Sequence, residues 1–204
     1  MEGGNKMRRL FLAIDLSISV VERLLLLQHE LRERVANEFG EHVRLRLVEA
    51  PNIHMTLKFL GDTTPELVPR LGERMEMLCE TLFPFEIECH SVGAFPDLHT
   101  PRIVWSGFDD ESHEVLELLQ RTVEKECSEL GIAKEHRPFH PHVTVARVKS
   151  RSRPSFQQIL YRYDDVRFGR SYIRDVVLYE SHLDHNGARY EVVERFELGS
   201  AEIS

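Results

Sequence analysis

The chain has 204 residues, 42% hydrophobic and 29% charged, with a formal net charge of −8. Length and composition fit one ordinary domain or two small packed lobes. The acidic balance excludes a protein that coats nucleic acid through a wide basic surface, while a few fixed donors can still bind one phosphate locally.

In chain order, "RRLFLAIDL" (8–16) is an apolar run bounded by charges and reads as a buried strand. Residues 17–40 carry helical periodicity, with Ser17 as cap candidate and Gly40 as stop. "HVRLRLV" (42–48) and "NIHMTLKFLG" (52–61) alternate and read as strands. Residues 64–82 look helical with Pro65 in the first turn, and Pro69 and Gly72 interrupt the pattern. Strands follow at 84–92 and 101–108, joined by the loop "GAFPDLHT". A second long helix spans 110–131 and ends at Gly131. Then come the strand "PHVTVARV", a short helix near 154–162, and strands near "RDVVLYES" and "RYEVVERFEL". Strands that lie so close along the chain pair antiparallel, which places the fold in the α+β class.

No apolar run approaches the roughly 18 residues of a membrane span, and the opening "MEGGNKMRRLFLAIDLS" does not read as a signal peptide. The three cysteines, Cys79, Cys89 and Cys127, are odd in number and form no C-x-x-C. Reduced thiols in a cytoplasm are expected.

Two of the strands carry a His-x-Thr pair: His54 with Thr56, and His142 with Thr144. Side chains two apart on a strand share a face. His54 and Thr56 then face a solvent or cleft side, with Met55, Leu57 and Phe59 on the apolar side. His142 and Thr144 oppose Val143 and Val145 in the same way. If the strands face each other, the groove holds two imidazoles and two hydroxyls, a kit for phosphoryl chemistry with one histidine as base and one as acid. A single His-x-Thr among 11 histidines is commonplace; the doubled motif on two alternating strands carries the signal. Candidates for the cleft rim are Lys58, Arg147 and His140. Lys58 shares the parity of His54 and Thr56, though a solvated surface lysine is the plainer reading. Arg147 has the wrong parity on a regular strand and needs a bulge or a strand end to reach that face. His136, His140 and His142 raise the question of zinc, but no cysteine or acidic residue falls at a familiar metal spacing, and no metal is expected. Cys89, His90, His182 and His185 read as packing or surface residues.

These segments resemble the LigT-like RNA 2′,3′-cyclic phosphodiesterases, formerly called 2′-5′ RNA ligases, of the two-histidine phosphoesterase superfamily. "PNIHMTLKFLGD" is similar to that family's first motif and "RPFHPHVTVARVK" to its second. "RRLFLAIDL", "GAFPDLHTPRIVW", "VVLYESHL" and "YEVVERFEL" resemble its opening strand, intervening loop and closing strands. The resemblance implies that 1–204 is one bilobal domain without a separate linker or tail domain. Two pseudo-symmetric lobes of antiparallel sheet flanked by helices would enclose a central cleft lined by His54, Thr56, His142 and Thr144. It implies hydrolysis of RNA 2′,3′-cyclic phosphate ends to 2′-phosphates, with His54 as general acid, His142 as general base, Thr56 and Thr144 on the phosphate, and no cofactor. The expected partners are RNA 3′ ends or nucleotides bearing the cyclic phosphate. A cytoplasmic monomer without an obligate protein partner or membrane is implied. Alternatives are reversible 2′-5′ end joining, action on small cyclic nucleotides, and a non-catalytic RNA-end binding module. One departure stands out: Arg46-Leu47 occupies the place of the family's frequent Arg-Trp.

Overall fold

A computed structural model describes residues 6–183 and 187–200. Its strands are β1 (Arg8–Asp15), β2 (Val43–Leu47), β3 (His54–Thr63), β4 (Phe85–Phe95), β5 (Ile103–Phe108), β6 (Val143–Ser150), β7 (Arg167–Ile173), β8 (Asp175–Leu183) and β9 (Ala188–Glu197). The helices are α1 (Ile18–Phe39), α2 (Leu67–Glu80), α3 (Asp110–Glu129) and the single turn α4 (Gln157–Leu160). Among the described residues nine strands form one antiparallel sheet in the order β7-β4-β5-β6-β3-β1-β8-β9, with β2 as a branch beside β6. The α+β expectation holds.

The sheet divides into two halves of matching order. From the centre outward one half runs β3, β1, β8, β9 and the other β6, β5, β4, β7. They meet at one ladder pair, Met55 opposite Val143, the residues inside the two His-x-Thr motifs. The two central strands are therefore duplicates lying head to tail.

β1 shows why its apolar run is unbroken. Leu10, Leu12 and Ile14 point into the main core beneath the helices, while Phe11 and Ala13 join Val177 and Tyr179 in a small second cluster on the other face. A strand buried on both faces has no polar alternation to show. The helices cover the first face. α1 buries Val20, Leu24, Leu27, Leu31 and Val35, a stripe at helical spacing, against β2, β6 and β7. α3 lies on β3 and β4, and α2 on β9 and α3.

Ser17 precedes α1 but does not cap it with its side chain; the hydroxyl donates to the Arg170 carbonyl and so ties the helix start to β7. α2 begins at Leu67, later than the expected turn at Pro65. Pro69 therefore falls in the first turn, where its missing N–H would have no intrahelical acceptor. β7 has no strand signature in the sequence. Gly169 and two arginines break its alternation, and only Arg174 separates it from β8, so no turn signal marks where the chain leaves one half for the other. All three cysteines are free and buried, and burial pushes their thiols up to about 12. Among the described residues no helix is long and apolar enough to cross a membrane. His185 lies outside the described residues.

Candidate active site

A cavity of about 560 Å³ opens where the two halves meet, lined by His54, Thr56, His142 and Thr144 among others. An antiparallel register through Met55 and Val143 sets His54 beside Thr144 and Thr56 beside His142. Each imidazole thus has the other motif's hydroxyl next to it. Among the described residues neither threonine hydroxyl has a protein partner, so both can donate to a ligand.

Each motif strand bulges at the same place. In β3, Thr56 pairs with Ala13 and Lys58 with Leu12, leaving Leu57 as the extra residue. In β6, Thr144 pairs with Trp105 and Ala146 with Val104, leaving Val145 as the extra residue. A bulge reverses the alternation beyond it. Leu57 and Lys58 are both buried, as are Val145 and Ala146. Phe59 and Arg147, which a regular strand would turn away, line the cavity.

This corrects two expectations. Lys58 is not at the cleft rim, nor is it a solvated surface lysine: its ammonium is buried on the helix side, bonded to both Glu124 oxygens (2.8 and 2.9 Å) and to the Ala133 carbonyl. Phe59 is not on the buried face but 67% exposed. Arg147 reaches the cleft by the bulge that its parity demanded. Gln28 of α1 supports the bulge in β6, donating to the carbonyls of Val145 and Val48 at 2.8 Å each.

The surroundings of the two imidazoles differ. His54 stacks on Phe11 (5.0 Å between centroids) and Tyr179 (5.7 Å), with Tyr190 edge-on at 5.2 Å. Burial in this aromatic box lowers its pKa to about 4, against the opposing pull of Asp15. Asp15 is the cross-strand partner of His54 on β1, and its carboxylate accepts from the Tyr179 hydroxyl and pairs with Arg195, both at 2.7 Å. His142 stands one residue before β6 begins. Its Nδ1 lies 2.7 Å from the carbonyl oxygen of His140. A carbonyl only accepts, so Nδ1 carries the proton and the neutral ring presents a lone pair at Nε2. Burial lowers the His142 pKa as well, and its ring meets Phe95 edge-on at 4.9 Å.

The ring of His140 lies outside the cavity, packed between Trp105 and His113. Its contribution to the site is the main-chain carbonyl. Among the described residues no group of three or more histidine, cysteine or carboxylate side chains could hold a metal ion. Leu47 lines the cavity beside Arg46, and the aromatic surface comes from Phe59 and Tyr190. Sequence reasoning missed Tyr190, Asn52 and Asp15. Only Asp15 left a trace, as a lone charge closing the apolar run "FLAID".

The description "2'-5' RNA ligase superfamily" belongs to the family model that matches residues 30–184. A protein named RNA 2′,3′-cyclic phosphodiesterase from Aquifex aeolicus is 32% identical over 171 residues, covering 84% of this chain and 91% of its own. One of the same name from Archaeoglobus fulgidus is 33% identical over 189 residues, covering 93% and 99%. Among solved structures, a Thermus thermophilus protein superposes with a TM-score of 0.76 at 27% identity, over 94% of this chain and 98% of that one. E. coli LigT complexed with 3′-AMP gives 0.70 at 25%, over 95% and 99%. The duplicated motifs, their meeting at one ladder pair and these likenesses agree, and the chain belongs to the 2′-5′ RNA ligase superfamily.

Proposed function

We propose that this protein is an RNA 2′,3′-cyclic phosphodiesterase that opens the cyclic phosphate to a 2′-phosphate, with His54 as general acid and His142 as general base. The observation that carries this reading is the head-to-tail meeting of the two His-x-Thr motifs across one cavity. The names of the relatives support the cyclic phosphodiesterase activity, and the 3′-AMP in E. coli LigT supports a cleft that takes a nucleotide.

The reaction needs water to attack phosphorus in line with the departing 3′ oxygen. Nε2 of His142 accepts the water proton while the new P–O bond forms. His54 gives its proton to the 3′ oxygen as the P–O3′ bond breaks. Thr56 and Thr144 hydroxyls and the Arg147 guanidinium hold the non-bridging oxygens, where charge accumulates. Each histidine contributes about 10²–10⁴ in rate.

The asymmetry of the surroundings supports the division of roles. His142 has a fixed tautomer with its lone pair free, as a base requires. His54 has a carboxylate, Asp15, opposite it, as an imidazolium requires. In the free protein His54 is neutral at pH 7, because its pKa is about 4. Bound substrate reverses this. One phosphate charge at about 4 Å is worth about 4 kcal/mol at an effective dielectric of 20, or about 3 pKa units. That returns the pKa of His54 to the neutral pH range, so the acid gains its proton with the substrate it serves.

Turnover leaves His142 protonated and His54 neutral; His142 then releases its proton to solvent and His54 takes one up as the next substrate binds, so the cycle closes by proton exchange alone. The test is incubation with an oligonucleotide bearing a 2′,3′-cyclic phosphate in excess EDTA, with products resolved by phosphorus NMR. A 2′-phosphate is expected. His54→Ala and His142→Ala should each lower kcat at least about 10²-fold, and the double variant should lose far less than the product of the single losses. Turnover abolished by EDTA and restored by a divalent ion, or a single variant with near-normal kcat, would overturn the mechanism.

A further inference from the structure

Two rungs of the ladder between β2 and β6 are pairs of like charge: Arg44 opposite Lys149, and Arg46 opposite Arg147. Directly opposed residues share a face with Cβ atoms about 5 Å apart, and like charges there destabilise the sheet. All four are exposed, on a protein whose net charge is −8. Among the described residues the only carboxylate paired with Arg44 is Glu41 at 3.8 Å, itself largely in solvent, where such a pair is worth little.

The ladder leads out of the catalytic cavity. Arg46 and Arg147 line that cavity, and Arg147 also borders a second, open groove that continues along Lys149 to Arg102 and Arg153. Among the described residues this groove is lined by no carboxylate and no aromatic ring, and by the hydroxyl residues Thr100, Ser150 and Ser152. Arg102, Arg147, Lys149 and Arg153 form no ion pair with any described residue. Cations and hydroxyls without stacking surfaces suit a phosphate backbone and not its bases.

We propose that the β2–β6 ladder and the groove beyond it are a track for the phosphates of an RNA strand behind its cyclic-phosphate end. The inference rests on the phosphodiesterase reading and adds its substrate class: an oligonucleotide chain of any sequence, in preference to a mononucleotide. Repulsion at the Arg44–Lys149 rung is relieved when the polyanion binds.

The test compares the parent protein with the Lys149→Gln/Arg153→Gln double variant, leaving Arg46 and Arg147 intact. The substrates are cytidine 2′,3′-cyclic phosphate and a ten-nucleotide RNA with the same end. The parent should show kcat/KM about 10-fold or more higher on the oligonucleotide at low salt, with a steep negative dependence of log kcat/KM on log salt. The double variant should lose most of that advantage, with a salt slope shallower by about 1. Its kcat/KM on the mononucleotide should stay within about 2-fold of the parent, and its Tm should not fall, since Lys149→Gln removes the like charge opposite Arg44 and Arg153 forms no ion pair with a described residue. A parent without preference for the longer substrate, or a variant that loses both substrates equally, overturns the track. Fluorescence anisotropy with a labelled RNA ending in a 2′-phosphate reads the same site without turnover. Affinity weakened in the variant supports the track even if the phosphodiesterase reading fails, and unchanged affinity rejects it.

Discussion

Leu57 and Val145 occupy one position of the fold twice. Each follows the threonine of a His-x-Thr motif, and each is the extra residue of a bulge. The consequence is shared: two residues later, Phe59 in one half and Arg147 in the other turn into the cleft. The duplicated backbone delivers different chemistry, an exposed aromatic ring on one side and a cation on the other. A terminal base can stack on the ring while the phosphate pairs with the guanidinium.

The first prediction follows from that division. Arg147→Ala should lower kcat/KM by about 10²-fold, since a charge-assisted contact to the phosphate is worth about 2–3 kcal/mol. Arg147→Lys should recover only part of this, because a point charge does not reproduce the planar fork. Phe59→Ala should raise KM for nucleotide substrates with little change in kcat, as expected of a contact made equally in ground and transition states. Steady-state kinetics on a cyclic mononucleotide separate the two patterns. Equal effects of Phe59→Ala and Arg147→Ala on kcat would sink the assignment.

The second prediction concerns Lys58. Its ammonium is paired with Glu124 in the interior, so Lys58→Ala leaves a carboxylate without its counter-charge. A loss of about 3–5 kcal/mol is expected, lowering Tm by roughly 10 °C in a chain of this size. Below that Tm, kcat should remain within about 3-fold of the parent, because the bulge at Leu57 turns Lys58 away from the cleft. A stable variant with greatly reduced kcat would return Lys58 to the active site.

The two bulges also mark the limit of what the sequence discloses. Long periodic elements, α1 and α3 above all, are legible because their buried stripes recur at helical spacing. The His-x-Thr strands are legible because a strand alternates. Beyond Thr56 and Thr144 the alternation fails, since one inserted residue moves every later side chain to the opposite face. Arg147 could be flagged as needing a bulge, but no residue type in "TVARV" announces one. β7 stayed hidden for a related reason: edge strands carry polar residues and glycine, which read as loop.

A third prediction addresses proton inventory. Asp15 opposes His54 across β1 and β3 and favours its charged form. Asp15→Asn keeps the shape and can still accept from the Tyr179 hydroxyl, but removes the charge. The alkaline limb of the kcat profile, assigned to His54 in the substrate complex, should move to lower pH by about one unit, and kcat at pH 8 should fall about 10-fold. At acid pH, where His54 is protonated regardless, the variant should approach the parent. A uniform loss at all pH values would assign Asp15 a purely structural role. A companion effect is expected in the parent: the limb should lie at higher pH in kcat than in kcat/KM, because the free enzyme lacks the phosphate charge that raises His54.

The fourth prediction carries the same proton into stability. An unfolded histidine titrates near pH 6.5, whereas His54 in the folded, ligand-free protein titrates near 4. Between these values the unfolded chain binds a proton that the folded protein refuses, so stability falls as pH falls through that window. Above about pH 6.5 both states are neutral at this site and the effect vanishes. At pH 5 the difference amounts to about 2 kcal/mol, or roughly 4–8 °C in Tm. His142 and His140 shift in the same direction through burial, so the ligand-free protein should melt well below its pH 7 temperature at pH 5. His54→Gln removes one contributor and should narrow the pH 7 to pH 5 difference by several degrees. A saturating 2′-nucleotide should narrow it in the parent too, since a phosphate in the cleft raises the folded pKa of His54 towards its unfolded value. Calorimetry of parent and variant at the two pH values, with and without nucleotide, checks both. A His54→Gln protein with the parent's full acid sensitivity would mean that His54 is charged in the ligand-free protein, and that the substrate does not supply its proton affinity.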